Sequence, residues 1–495
     1  MNTSPPARRP TSFIGVLIVA ALLGACGTAA TPEPSPGASS LIPSADPSTD
    51  LPATQAPSHE PPPEHELHDV LAVIADEPLV LRSAPGTGSD SSILEERLHP
   101  GMTLRLLEGP VTASGYEWYR VAIGSAEGWA AAGQLVENVH EPWLAMVTNG
   151  LIAFGGDAER ADGVPQVFAV DAEGFGRAQL TSLTLEDLDA GVSRATGNVL
   201  AVSCGVSVDP MEWSMSGGML AFAVGGCAKS IQIIRVDGSG ARRLTDGNAV
   251  AWSPDGRRLV GSLNVPYMPM PCTEHDPWDL WMFELETGRQ STITRSDRCI
   301  IASSPDWSPD GRSIAFTVTD AATEYGPTAA TWVLDLATGS ERRVTSGWRP
   351  TWSPDGLRLL VERIVDTNGG DPGCGECTGE VSSVSLEGGD EVDYGVGYGA
   401  AWSPGSDYVA FHRPRTSGDT QEVVVVRANG SDETVLSLAG VFRGWSPDGR
   451  QVLISNDFRL WRYPLADGAP VELAPDVAGA VAWQPTYVLL TGTGQ

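Results

Sequence analysis

One stretch recurs along the chain and limits what it can fold into: a tryptophan, a tight turn and a short run of branched residues. It is cleanest at 252–260 (WSPDGRRLV), 307–316 (WSPDGRSIAF), 352–361 (WSPDGLRLLV) and 445–454 (WSPDGRQVLI). Weaker copies start at Trp213 (WSMSGGMLAF), Trp402 (WSPGSDYVAF) and Trp483 (WQPTYVLL). Successive tryptophans lie 39, 55, 45, 50, 43 and 38 residues apart. Self-similarity at that period is the mark of a propeller or a solenoid. Within a copy, Pro presets φ, Asp bonds the backbone ahead of it, and Gly takes φ > 0. A strand ending in Trp therefore turns tightly into a second strand.

Further strands follow in each copy. After Trp252 come 279–285 (DLWMFEL), a Glu286-Thr287-Gly288 turn and 289–294 (RQSTIT). After Trp213 come 230–236, the turn 237–240 (DGSG) and 241–245 (ARRLT). Four short strands per copy make one propeller blade. The succession W-S-P-D-G, branched strand, apolar strand, D-G-x-G, R-x-L-T resembles the β-propeller repeat of TolB-type periplasmic proteins. The expected fold is all-β, with about seven four-stranded blades from 141 to 495; six or eight stay open. The piece at 191–203 reads as a degenerate hairpin, and that at 479–491 as a C-terminal hairpin beside the first blade. That placement would close the ring and leave no free edge. Trp252, Trp307, Trp352, Trp402 and Trp445 are expected as wedges between blades. Asp255, Asp310, Asp355 and Asp448 are expected to shape turns, because one carboxylate per blade cannot converge on one ion.

The N-terminus has another character. Residues 1–25 read as a secretion signal, with Arg8 and Arg9 before an apolar run too short to span a membrane. Leu23-Gly24-Ala25-Cys26 resembles the lipobox of bacterial lipoproteins. That resemblance implies lipid on Cys26, cleavage before it, and a chain held on the extracytoplasmic face of the cell membrane by this anchor alone. Two or three acyl chains, at ~0.8 kcal/mol per buried CH₂, hold where one would not. Residues 26–68 are rich in Pro, Ser and Thr, bury no core and form a tether. His59, His65 and His68 lie there among acidic residues, but nothing orders them as metal ligands.

Residues 69–137 suit a small β-barrel, with strands expected at 79–82, 102–107, 118–123 and 128–131. LVLRSAPGT at 79–87, His99-Pro100-Gly101, Trp118-Tyr119-Arg120-Val121 and Gly128-Trp129 resemble the bacterial SH3 domain. Val80 and Ala84 stand where that family has Asn and Gly. The resemblance implies an SH3-like barrel that binds cell-wall peptides or spaces other modules. Trp118, Tyr119 and Trp129 either line an aromatic groove for an extended peptide or fill the core.

The net charge of −31, with Lys229 the single lysine, argues against nucleic acid as a partner. No G-x-S-x-G, H-E-x-x-H or Walker A motif occurs, so no catalytic residue, metal or cofactor is assigned. Beyond Cys26 six cysteines remain, an even number that in an exported chain points to disulfides. Six cysteines allow fifteen connectivities; blade order narrows them, and the expected pairs are Cys204 with Cys227, Cys272 with Cys299, and Cys374 with Cys377, the last a C-x-x-C spacing that also suits redox activity or a metal. The irregular length falls in the loops 264–277, 319–330, 366–379 and 412–420, all on the face away from the Trp turns. Insertions on one face of a repeat protein mark its binding face. Tyr267, Met268, Met270, His275, Asp276, Trp278, Glu324 and Tyr325 are the residues expected there, with Arg413 and Arg415 opposite in sign. Their mixture suits an envelope protein or cell-wall peptide as partner. The function expected is that of a lipid-anchored binding or scaffold protein, acting as a monomer. A propeller enzyme acting on a peptide or carbohydrate, and a purely structural lipoprotein, are the alternatives.

Overall fold

The Ser-Pro-Asp-Gly segments fold as their chemistry dictates. In the computed structural model the serine hydroxyl of each full copy donates to the aspartate, at 2.5 Å for Ser253–Asp255 and 2.6 Å for Ser308–Asp310. The same carboxylate accepts the backbone N–H two residues on: Arg257, Arg312, Leu357 and Arg450, at 2.9–3.0 Å. Gly256, Gly311, Gly356 and Gly449 close the turns at φ of +66° to +73°, a region open to glycine at no steric cost. These carboxylates therefore shape their own turns, and Asp448 also accepts the Asn149 side-chain amide at 2.9 Å.

The structure describes residues 69–490 apart from 125, 137–138, 158–163, 185–206, 227–228, 263–278, 295–299, 321–327, 367–376, 416–419 and 467. All their regular elements are strands. Six four-stranded antiparallel sheets follow one another at 207–246, 249–292, 300–346, 348–396, 398–435 and 441–474. The first strands of sheets one to six are Ser207–Trp213, Ala249–Trp252, Ile300–Trp307, Trp348–Trp352, Tyr398–Trp402 and Val441–Trp445. Successive first strands touch, and Val477–Leu489 touches both the last and the first, so together they ring a channel. The chain is a β-propeller. The expectation of about seven blades meets six separate four-stranded sheets. The remaining propeller strands, Leu144–Asp157, Pro165–Val170 and Ala178–Gln179, lie instead in a ten-stranded sheet, in which Val477–Leu489 pairs with Leu144–Asp157.

The piece read as a C-terminal hairpin is a single long strand, and so is its partner at the start of the propeller. Leu144–Asp157 runs without a turn through Gly150, and Val477–Leu489 follows it antiparallel from Val477↔Gly156 to Leu489↔Ala145. A register shift at Pro485, which has no N–H to give the ladder, absorbs the proline. The C-terminal segment does lie beside the first propeller strand. The hairpin expected at 191–203 lies outside the described residues.

Trp213, Trp252, Trp307, Trp352, Trp402, Trp445 and Trp483 are all at most 8% exposed. Four of them reach across a junction. The indole N–H of Trp213, Trp252, Trp402 and Trp445 donates to the carbonyl of Ala482, Glu212, Thr351 and Ala401, at 3.0–3.3 Å. Each acceptor is the residue just before the preceding tryptophan. The wedge expected from sequence is thus also a stitch.

Ahead of the propeller, strands from Val70–Val73 to Val139–Pro142 pack a core around Leu71, Leu81, Leu98, Leu104, Tyr119 and Val121 that also takes in Leu144 of the first propeller strand. Val70–Val73 pairs with both Thr103–Ala113 and the start of Leu144–Asp157, so this N-terminal β-module shares a sheet with the propeller.

Candidate functional site: the two mouths of the channel

Each inner strand ends in Trp and a tight turn, so the Trp turns surround one mouth of the channel and the strand starts surround the other. The N-terminal module lies on the first. Asp69 pairs with Arg450 at 2.6 Å, Thr103 Oγ1 donates to the Pro404 carbonyl at 2.6 Å, and Arg105 pairs with Asp407 at 3.0 Å. A Cβ added to Gly101 would stand 2.8 Å from Pro254 Cβ, and one on Gly124 2.6 Å from Leu357 Cδ1. His99 feels Arg312 and Asp310. These contacts reach the turns of the second, fourth, fifth and sixth sheets, and His99 feels the charges of the third. A body touching four turns spaced around a ring lies across the opening they encircle.

Below this cover the residue before each tryptophan borders the lumen. Most are small: Ala251, Thr351, Ala401, Gly444 and Ala482. Glu212 and Asp306 are not, and only Ala251 of the second sheet stands between them in the ring. Glu212 is pushed up to about 8, first by burial and then by the charge of Asp306. Asp306 rises to about 7 through burial, against the N–H groups of Trp352 and Trp307 that it accepts. Both keep some accessible surface although protein encloses them. A narrow lumen has that effect: a water molecule reaches the carboxyl, but bulk solvent does not screen it. Among the described residues no three His, Cys, Asp or Glu side chains gather as a metal site requires.

The far mouth is built on irregularities of the inner strands. Register shifts interrupt pairing at Val208/Met211, Ser303/Asp306, Trp348/Thr351, Tyr398/Ala401 and Phe442/Gly444. Bulges of this kind re-aim side chains. The bulge residues Ser304, Arg349 and Gly399 take φ of 48°, 50° and 62°. In the fourth sheet Arg349 stands 67% exposed, its guanidinium 3.9 Å from buried Glu362. Glu362 accepts the N–H of Gly399 at 2.8 Å and that of Ala400 at 3.4 Å, tying the fourth sheet to the fifth. In the fifth sheet His412 lies opposite Tyr398 with ring centres 6.4 Å apart. Burial, then Arg443 and Arg349, lower His412 to about 4, so it is neutral at pH 7. Its Nδ1 is buried with no partner among the described residues. From the sixth sheet Arg443 donates Nε to Ser455 Oγ at 2.7 Å and faces Asp209 of the first. Burial lowers Arg443, and the charge of Asp209 works against that.

The residues singled out from sequence fall unevenly. Arg413 and Arg415 are described, but both turn to the protein's own carboxylates. Arg413 bonds Glu422 at 2.7 Å and Glu433 at 2.9 Å, and Arg415 lies 3.8 Å from Glu422. Tyr267, Met268, Met270, His275, Asp276, Trp278, Glu324 and Tyr325 lie outside the described residues, as do Cys26, Cys204, Cys227, Cys272, Cys299 and Cys374. Cys377 is described only as the first backbone position of Cys377–Ser385. The expected loops are shorter than read, because Ser313–Asp320, Thr328–Asp335, Arg358–Asp366, Cys377–Ser385 and Tyr408–Pro414 extend into them. In the N-terminal module Trp118 and Tyr119 are 3% and 8% exposed, so core packing claims most of both. A groove of about 290 Å³ is nevertheless lined by Leu79, Arg82, Tyr116, Trp118 and Trp143. Tyr116 stacks on Trp143 with ring centres 6.0 Å apart. Tyr119 and Trp129 do not line it. Sequence reading missed Tyr116 and Trp143 because Trp143 lies beyond the motifs that delimit the module.

No family model matches the chain. Among curated proteins it is 30% identical over 117 residues to the uncharacterized peptidase YuxL of Bacillus subtilis, covering 22% of this chain and 16% of the relative. It is 31% identical over 109 residues to the Tol-Pal system protein TolB of Alcanivorax borkumensis, covering 21% of this chain and 24% of that protein. The chain thus spans less than a quarter of the length of either relative. The solved structure of TolB from Acinetobacter baumannii aligns over 68% of this chain and 83% of its own, at 19% identity and a TM-score of 0.38. That superposition is too loose to carry an argument.

Proposed function

We propose that the chain is an extracytoplasmic binding or scaffold protein of the bacterial envelope, anchored by lipid on Cys26. Residues 26–68 serve as its tether. An SH3-like module at 69–137 closes one end of the propeller, and protein or peptide partners are engaged at the other. Leu144–Asp157, Pro165–Val170, Ala178–Gln179 and Val477–Leu489 count here as a seventh blade. One observation carries the reading: the module lies across the Trp-turn mouth, touching the turns of four sheets, while Arg349, His412, Arg443 and Asp209 gather at the other mouth. A covered mouth directs any ligand to the other, which the described residues leave open. The similarity to TolB over 109 residues supports a protein partner.

Photo-cross-linking from the two sides tests this. A cross-linking residue in place of exposed Thr420, beside the open mouth, should capture an envelope protein. The same residue in place of exposed Asp237, on the Trp-turn side, should not. Equal capture from both positions, or none from Thr420, would refute the assignment of the binding face.

A second reading, a propeller enzyme, draws on the similarity to the peptidase YuxL. Turnover of peptides or glycans by the purified chain, abolished by His412→Ala, would favour it over binding alone.

A further inference from the structure

Among the described residues, the far mouth gathers cationic groups whose hydrogen-bonding capacity the protein's own acids leave largely unused. Arg443 is anchored through Nε on Ser455, and its Nη groups meet no acceptor among the described residues. Arg349 lies 3.9 Å from Glu362, too far for a hydrogen bond, and is mostly exposed. Glu362 in turn is occupied by the backbone N–H groups of Gly399 and Ala400. Between the two arginines, on the sheet that separates theirs, His412 holds a buried Nδ1 with no partner among the described residues. Asp209, the opposing carboxylate, stands on the Arg443 side, and Lys229 donates to its carbonyl at 2.6 Å. In a chain of net charge −31 such an arc favours an anion.

We propose that Arg349, His412 and Arg443 form a carboxylate-binding site that takes the free C-terminus of an extended peptide at the open mouth. Two guanidinium groups, one on each side of the neutral imidazole, supply donors from the fourth and sixth sheets to one planar acceptor, and charge-assisted hydrogen bonds of this kind are the strong ones. A peptide suits the place better than a sugar acid. The inner strands are the terminal strands of their sheets, so each turns an edge without a neighbouring strand of its own sheet toward the channel, and an extended peptide backbone complements such an edge. The inference rests on the open mouth being the binding face. It adds the ligand's chemistry.

Fluorescence polarisation on the purified full chain tests it with labelled tetra-alanine as the free acid. Comparison probes are the same peptide as its amide and a tri-alanyl-glutamate amide. The free acid should bind about tenfold more tightly than its amide, the scale of one charge-assisted contact. Arg443→Ala should erase the difference and Arg443→Lys retain part of it, with unchanged circular dichroism and Tm. If Arg443→Ala fails to fold, Arg349→Ala, on an exposed side chain, carries the same test. Equal binding of acid and amide by the wild type overturns the site, as does a preference that survives both alanine variants. Glutamate-amide binding as tight as the free acid overturns the terminal assignment, and so does displacement by tri-galacturonate at a lower concentration than by free tetra-alanine. The Thr420 cross-linking is repeated in the Arg443→Ala background. Capture intact without any acid preference sinks the carboxylate site alone; acid preference without capture sinks the scaffold reading alone.

Discussion

Asp306, on the inner strand of the third sheet, accepts the backbone N–H of Trp352 in the fourth at 2.7 Å. Glu212 accepts that of Trp252 in the same way, so two enclosed carboxyls each bind one blade to the next. The residue before a tryptophan therefore has two uses. Its carbonyl receives the next indole, and where it is acidic its side chain also receives the next backbone.

The two carboxyls should make stability depend on pH. Both hold their protons more tightly in the folded chain, Glu212 at about 8 and Asp306 at about 7, than in the unfolded one. Their contribution is then full below pH 4 and is withdrawn as pH rises through 7 to 8. Thermal unfolding between pH 6 and 9 should show Tm falling. Glu212→Gln, which keeps the shape without the charge, should flatten the slope by on the order of a few degrees. An unchanged slope in Glu212→Gln and Asp306→Asn together would contradict the assignment.

The stitching tryptophans invite a graded test. Trp402→Ala removes a buried ring and its bond to the Thr351 carbonyl, and should cost roughly 3–5 kcal/mol. Trp402→Phe keeps most of the wedge and loses the N–H, so a smaller loss is expected, about 1–3 kcal/mol for an unpaired buried carbonyl. Denaturant midpoints for the two variants measure the difference. Equal losses would mean that the hydrogen bond, and not the wedge, holds the junction.

The turns, the tryptophans and the closing of the propeller by 479–491 were legible because each depends on local chemistry repeated at a fixed position. Ser-Pro-Asp-Gly makes the same turn wherever it stands. Blade number was less legible. The strand at Leu144–Asp157 carries no Trp-turn, and its pairing with Val70–Val73 merges what a repeat count separates. The site was the least legible part. Arg349, His412 and Arg443 share no motif and lie on three repeats at strand starts whose bulges have no uniform sequence. What joins them is register, which a linear reading does not contain. Arg413 and Arg415 looked available by charge alone, but Glu422 and Glu433 on neighbouring strands had already claimed them.

Cys26→Ser should release the chain from the membrane, since lipidation requires the thiol. Fractionation with a fatty-acid label checks this. A variant that still pellets with membranes and still carries label would remove the lipid anchor from the proposal.

The covering of the Trp-turn mouth should depend on a few contacts of unequal strength. The Arg450–Asp69 pair is close to half exposed on both sides, and such pairs contribute about 0–1 kcal/mol. Arg105 and Asp407 pair at 3.0 Å with side chains only 20% and 24% exposed, so water screens them less. Gly124 is tighter still. At φ +56° any Cβ there would meet Leu357 Cδ1 at 2.6 Å and Asp355 Oδ2 at 2.7 Å. Gly124→Val should therefore lift the module from the fourth turn, Arg105→Ala should loosen it less, and Arg450→Ala least. Hydrogen exchange at the turn amides of Asp355, Gly356 and Leu357 reads the loosening directly, while amides of the buried strand Met219–Gly225 serve as the unaffected reference. Faster exchange at the turns with the reference unchanged is expected for Gly124→Val. Exchange at wild-type rates would mean that the module is held elsewhere.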